Sequence, residues 1–172
     1  MNITREWAMP SGNTFSVKPI GNFVKKHINI NEKWIDPFAN SNKYASITND
    51  LNPQYGTNYN LDAIDFLKLF DDNSIDGVLF DPPYSPRQVS ECYKSMGMTV
   101  DTKTTQSSYW GNLKKEISRI VKPNGKVLTF SWNSGGVGMK YGFEIIEILL
   151  VAHGGWHNDT ICVAEQKEIK LI

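Results

Sequence analysis

The apolar run Val78-Leu79-Phe80 is followed at once by Asp81-Pro82-Pro83-Tyr84. A proline has no backbone N–H, so two in succession cannot continue a helix or join an interior sheet ladder. The run therefore reads as a buried strand that ends at Asp81, with a stiff turn beyond it. That turn holds a carboxylate, a prolyl carbonyl and an aromatic ring close together. It is either a plain strand exit or the floor of an active site.

The surrounding segments alternate. In "PIGNFVKKHI" the apolar positions 20, 23, 24 and 28 have helical spacing, and Pro19 suits a first turn. "KWIDPF" predicts a short strand ending at Asp36-Pro37, and Tyr44 to Thr48 a second, ending at Asn49-Asp50. A short strand near Asn60-Leu61 precedes Asp62, and Ala63 to Phe70 reads as a helix. Residues 85–108 are polar and lack clean periodicity, which predicts a long connection of the kind that carries function. Tyr109 to Val121 predicts a helix, "KPNGK" its exit turn, and Val127 to Phe130 another strand. Phe143 to Val151 and Thr160 to Ala164 close the chain as two strands joined too tightly for a crossover helix, which predicts an antiparallel edge. Strands alternating with helices imply an α/β domain with a mainly parallel, seven-stranded sheet.

The chain has 172 residues, a length suited to one domain spanning 1–172. Its 18 Lys+Arg balance 18 Asp+Glu, so a nucleic-acid partner would have to use local basic patches or a second subunit, and a homodimer is attractive. Cys92 and Cys162 have no metal spacing and read as thiols of a reducing compartment. The start "MNITREWAMPSG" has no leader-like apolar core, and Ile145 to Ala152 is too short to span a bilayer. A cytoplasmic chain without a membrane or metal partner is expected. His153 and His157 lack a third ligand nearby.

Four predicted strands end in an acid: Asp36, Asp50, Asp62 and Asp81. In open α/β sheets ligands bind beyond the carboxyl ends of the strands. Acids there could accept from a ribose diol or an adenine amino group, although Asp62 also fits a helix N-cap. No GxGxxG is present, and "DPFANSNKYA" has no glycine. Any positive φ in that loop would fall to Asn40 or Asn42. A cofactor without phosphates fits it better than a dinucleotide.

A planar amino-bearing base beside Asp81 would meet two acceptors, the Asp81 carboxylate and the Pro82 carbonyl. Holding both amine hydrogens would favour a more tetrahedral nitrogen with a usable lone pair. Pro83 stiffens the turn, and Tyr84 could stack on the base. The base must be flipped or already unpaired to enter.

At this point the chain resembles the S-adenosylmethionine-dependent amino-methyltransferases of adenine N6 and cytosine N4, in particular small phage- or mobile-element-like adenine methylases. "DPPY" after "DNSIDGVLF" resembles their catalytic motif, and "WIDPFANSN" their cofactor loop. "FSVKPIGNFV" is similar to the segment over the cofactor's methionine part, and "LKKEISRIVKPNGKVLTF" to the helix-turn-strand after the catalytic motif.

The resemblance implies a Rossmann-like methyltransferase fold with helices on both faces and an antiparallel C-terminal strand. It implies S-adenosyl-L-methionine as cofactor, with Asp36, Pro37, Phe38 and Asn40 at its loop and Asp50 at the ribose. Asp62 would lie near the adenine, and Lys18 and Pro19 at the methionine end. Asp81, Pro82, Pro83 and Tyr84 would form the target pocket. DPPY favours adenine over cytosine, in DNA or RNA. A binding-only protein that keeps the fold is the alternative of another class, motivated by the missing loop glycines.

No separate recognition domain is visible, so Arg87, Lys94 and Lys103 of the 85–108 segment are candidate nucleic-acid contacts. Trp132 and Asn133 could border the target pocket, and Trp132 equally suits the core. Lys25, Lys26, His27 and Lys33 could track phosphates or simply form a solvated helix face. Lys114, Lys115, Arg119 and Lys122 read as a solvated face.

Overall fold

A computed structural model describes residues 1–83, 85–95, 97 and 107–169. The strands are β1 (Asn2–Trp7), β2 (Trp34–Asp36), β3 (Ile47–Thr48), β4 (Ile75–Phe80), β5 (Val121–Ser131), β6 (Phe143–Ala152) and β7 (Thr160–Lys167). The helices are α1 (Lys18–His27), α2 (Ala63–Leu67), α3 (Pro86–Ser95) and α4 (Ser107–Ile120). One seven-stranded sheet runs β1-β6-β7-β5-β4-β2-β3. All neighbours are parallel except that β7 is antiparallel to both β5 and β6. This is a Rossmann-like α/β methyltransferase fold, with helices on both faces.

The central strands β2 and β4 are buried on both sides, so their side chains divide by alternation. Val78 and Phe80 of β4 pack with Phe66, Leu67, Leu113 and Ile117 beneath α2 and α4. Leu79 faces the other way, into Trp34, Phe130 and the Ile20, Phe23 and Val24 stripe of α1. Burying each such side chain contributes about 1.5–3 kcal/mol. Pro19 sits in the first turn of α1, as its fixed φ favours.

Four features differ from the sequence reading. The seventh strand is β1, every residue of which is exposed, while Tyr59 forms only an isolated bridge with Asn49 in place of the expected strand near Asn60-Leu61. The β6–β7 pair is antiparallel but interior, because β1 adds outside β6. "KPNGK" is a bulge within β5, since Ile75 pairs with Val121 and Gly77 already with Lys126, and Asn124 takes φ 64 there. Residues 86–95, expected to be irregular, form α3; the Ser85 hydroxyl accepts the Gln88 N–H at 3.3 Å as its N-cap.

Gly77 fixes the spacing under the catalytic-looking turn. A Cβ there would lie 2.4 Å from Cδ2 of the Trp34 indole, whose Nε1–H is held by Glu32 at 3.0 Å. Gly77→Ala therefore overpacks the sheet and is expected to cost about 1–3 kcal/mol. At roughly 2–4 °C per kcal/mol for a chain of this size, thermal denaturation would show it directly. An unshifted midpoint would mean the indole is free to move.

Candidate active site

Strands β3, β2, β4 and β5 run parallel, so their carboxyl ends share one edge of the sheet. Asn49, after β3, stitches that edge together. Its Nδ2 donates to the Pro37 carbonyl at 3.1 Å and to the Leu61 carbonyl at 3.0 Å, and its Oδ1 accepts the Leu61 N–H at 2.9 Å. Asp50 holds the glycine-free loop. Its Oδ2 accepts the Asn40 N–H at 2.8 Å and its Oδ1 the Asn52 N–H at 2.9 Å. Asn40 takes φ 51, the left-handed conformation a glycine would otherwise supply.

A cavity of about 470 Å³ opens here, bounded by Phe38, Asn40, Asp50, Leu51, Asp81 and Pro82, among others. The 12–14 stretch closes one side through Gly12, Asn13 and Thr14, and α3 contributes Gln88 and Glu91. Asp50, Asp81 and Glu91 put carboxylates on the lining, which among the described residues contains no lysine or arginine.

Asp36 lies beneath this cavity, 1% exposed. Desolvation pushes its carboxyl well above the usual range; the Phe38 N–H bond opposes this, and the Asp81 and Asp50 charges add to it. Such a group weakens the fold as pH rises. Below its ordinary value of 3.8 neither state is charged; above it the unfolded chain releases a proton that the folded chain keeps. The deficit grows until the raised folded value is passed and is constant beyond. Asp36→Asn, which preserves an acceptor for Phe38, is therefore expected to raise the thermal midpoint at pH 7. The gain should shrink as the pH is lowered towards 3.8. A gain that persisted unchanged in acid would refute the assignment.

A second cavity of about 350 Å³ lies across the same turn and shares Pro82 and Pro83 with the first. Trp110, Lys114, Thr129, Trp132, Asn133 and Gly136 help line it. Trp110 Nε1 donates to the Pro83 carbonyl at 3.2 Å and pins the shared wall.

Behind this cavity sits wholly buried Glu165 of β7. Its Oε2 accepts the Val137 N–H at 2.7 Å, and its Oε1 the Gly138 N–H at 2.8 Å. Burial raises its pKa against these bonds and the Lys114 charge. Burial likewise lowers the Lys114 amine. Gly136 must be small: it takes φ 51, and a Cβ would lie 2.3 Å from Glu165 Oε2.

The residues named from the sequence are thus sorted. Phe38, Asn40, Asp50, Asp81, Pro82 and Pro83 line the first cavity, and Trp132 and Asn133 the second. Asp36 and Pro37 lie buried beneath the loop. Lys18 is exposed and Pro19 buried at the start of α1; neither borders the first cavity, whose N-terminal wall is Gly12 to Thr14. Asp62 caps α2 through Ile64 N–H at 2.9 Å, and its other oxygen accepts the Tyr93 hydroxyl of α3. It does not line the cavity either.

Arg87 and Lys94 are exposed on α3, and Arg87 Nε donates to Glu91 at 2.7 Å. Tyr84 and Lys103 lie outside the described residues. Lys26 and His27, read as candidate phosphate contacts, instead converge on Glu147 at 2.7 and 2.9 Å. Of the α4 face read as solvated, Arg119 binds Asp72 at 2.7 Å and Lys114 reaches the second cavity. Asn49, Glu165 and the 12–14 wall escaped the sequence reading. Among the described residues no helix is long and apolar enough to cross a membrane, and no three His, Cys, Asp or Glu cluster as metal ligands.

No protein-family model matches the chain, and no curated protein matches it in sequence. Solved structures do share its fold. One is a Burkholderia thailandensis 1,6-didemethyltoxoflavin-N1-methyltransferase with bound 1,6-didemethyltoxoflavin and S-adenosylhomocysteine. It has a TM-score of 0.58 at 11% identity, over 88% of this chain and 78% of that one. TrmN from Thermus thermophilus gives 0.56 at 13% identity, over 88% of this chain and 49% of its own. This chain thus spans about half the length of TrmN. At such identities the likeness establishes the Rossmann-like methyltransferase fold.

Proposed function

We propose that the chain is an S-adenosylmethionine-dependent methyltransferase acting on the exocyclic N6 of adenine in DNA. The observation that carries this reading is the lining of the first cavity, which holds the carboxylates of Asp50, Asp81 and Glu91 and, among the described residues, no lysine or arginine. A phosphate-bearing cofactor would be repelled there, whereas an adenosine joined to a cationic sulfonium would be drawn in. The Asn13, Asn40 and Asn42 amides offer donors for the cofactor's carboxylate, and Asp50 an acceptor for its ribose. The solved N1-methyltransferase of the same fold carries S-adenosylhomocysteine, which supports the choice of cofactor.

When bound, S-adenosylmethionine supplies an electrophilic methyl group. The chain's own residues would hold the acceptor. The second cavity would receive the base, with Trp132 and Asn133 at its border, and the Pro82-Pro83 wall would separate base from cofactor. Asp81 and the Pro82 carbonyl would take the two amine hydrogens and turn the nitrogen lone pair towards the first cavity. Asp81 is then the group placed to receive the proton that the amine sheds. Tyr84 would stack on the base. Orientation is the principal contribution, worth about 7–11 kcal/mol in well-placed intramolecular reactions.

The test is transfer of isotope-labelled methyl from S-adenosylmethionine to unmethylated DNA, read by nucleoside mass spectrometry. Labelled N6-methyladenine is the expected product. N4-methylcytosine would keep the mechanism and change the base, and labelling of RNA alone would change the substrate. No product on either nucleic acid would leave a binding-only protein.

A further inference from the structure

Two tryptophans stand where burial would not place them. Trp156 is fully exposed, at 103%, and Trp7 is 65% exposed. Trp156 tips the β6–β7 turn, where Gly154 and Gly155 both take positive φ, 69 and 60. Trp7 ends β1, and a Cβ on Gly154 would lie 3.4 Å from its indole nitrogen. Strand register puts both on the edge that holds the site: Trp7 pairs with Ala152, Val151 with Thr160, and Ser131 with Ile161. Trp132, 42% exposed, follows Ser131 on that edge and borders the second cavity. With neighbouring strands about 4.8 Å apart, β5 to β1 spans roughly 15 Å. The three rings therefore belong to one short row.

Charge divides the edge in two. The β3–β2–β4 half carries Asp36, Asp50, Asp62 and Asp81, with Glu91 above the cavity. In the other half, connections 8–13, 131–138 and 153–159 hold a single carboxylate, Asp159. That carboxylate is engaged by the His153 N–H at 3.1 Å. A polyanion is repelled by the first half and tolerated by the second.

We propose that the aromatic half of this edge is a stacking platform for unpaired DNA flanking the target base. The strand runs from the second cavity over Trp132 towards Trp156 and Trp7. Indole faces accept any base, so the platform adds affinity without sequence preference. The proposal rests on the reading of the chain as a DNA methyltransferase.

The test is label transfer to a single-stranded twelve-nucleotide DNA, with Trp156→Ala and Trp7→Ala beside the native chain. Both side chains are exposed, so folding is not at stake. Each substitution is expected to raise the oligonucleotide KM about tenfold. Trp156→Phe should recover most of the loss, and S-adenosylhomocysteine affinity should stay at the native value. A trinucleotide centred on the target, too short to reach Trp156, should show no difference. Native-like KM in both alanine variants overturns the proposal. So does an unchanged KM with self-association lost in sedimentation, which would make the ring a protein contact. A native chain that labels no DNA overturns the reading of function and the platform with it.

Discussion

Asp81→Ala is expected to abolish methyl transfer while the fold and the binding of S-adenosylhomocysteine, which lacks the sulfonium charge, survive. The carboxylate closes β4, borders the first cavity and shares the Pro82-Pro83 wall with the second. On the proposed mechanism it holds one amine hydrogen and later receives the proton. Removing a group aimed at developing charge costs about 10²–10³ in kcat, and Asp81 would lose two roles at once. Asp81→Asn should fare no better, because an amide cannot take the proton. Label transfer, calorimetric binding of S-adenosylhomocysteine and thermal denaturation together separate these effects. A variant that still transfers at near the native rate would sink the assignment.

Glu165→Gln should produce the second large effect, from a residue that touches neither proposed ligand. Its two oxygens each accept a backbone N–H, from Val137 and Gly138. A glutamine amide can accept one and must turn its own NH₂ towards the other. A buried donor left without a partner costs about 1–3 kcal/mol, so the thermal midpoint should fall by several degrees. The loop thus released carries Trp132, Asn133 and Gly136 of the second cavity. The KM for DNA should therefore rise well beyond any change in cofactor affinity. Equal losses for both ligands would instead indicate a general collapse of the sheet edge.

The sequence foretold the parallel strands β2 and β4 with their acidic ends, Asp36 and Asp81, because apolar runs stopped by Asp-Pro leave few alternatives; the strand expected before Asp62 is only the Asn49–Tyr59 bridge. It also limited any left-handed turn in the glycine-free loop to Asn40 or Asn42, and Asn40 takes it. Other features stayed hidden for physical reasons. β1 has no buried residue, so no hydrophobic pattern marks it; pairing with β6 alone makes it a strand. α3 did leave a local signal, Ser85-Pro86-Arg87-Gln88, which fits a cap, a proline at the first helical position and a capping-box glutamine. The weak apolar periodicity of 85–108 hid it. The Tyr93–Asp62 bond and the Glu165 bonds join residues far apart in the chain, and only the folded sheet brings them together. That is why Asp62 looked available as a cofactor contact and Glu165 drew no notice.

The place of β1 also bears on how the protein matures. Asn2 pairs with Glu147 and Trp7 with Ala152, so β1 has no partner in the sheet until β6 emerges. At about 5–20 residues per second of synthesis, that wait is on the order of ten seconds. Through it the 8–14 segment, including the Gly12–Thr14 wall, remains untethered at its N-terminal end. A growing chain can close the β2–β4 part of the sheet early, yet the pocket's last wall waits for the C-terminal hairpin. Ligand capture thereby waits for the synthesis of β6, and a nascent chain stalled before β6 should bind no cofactor.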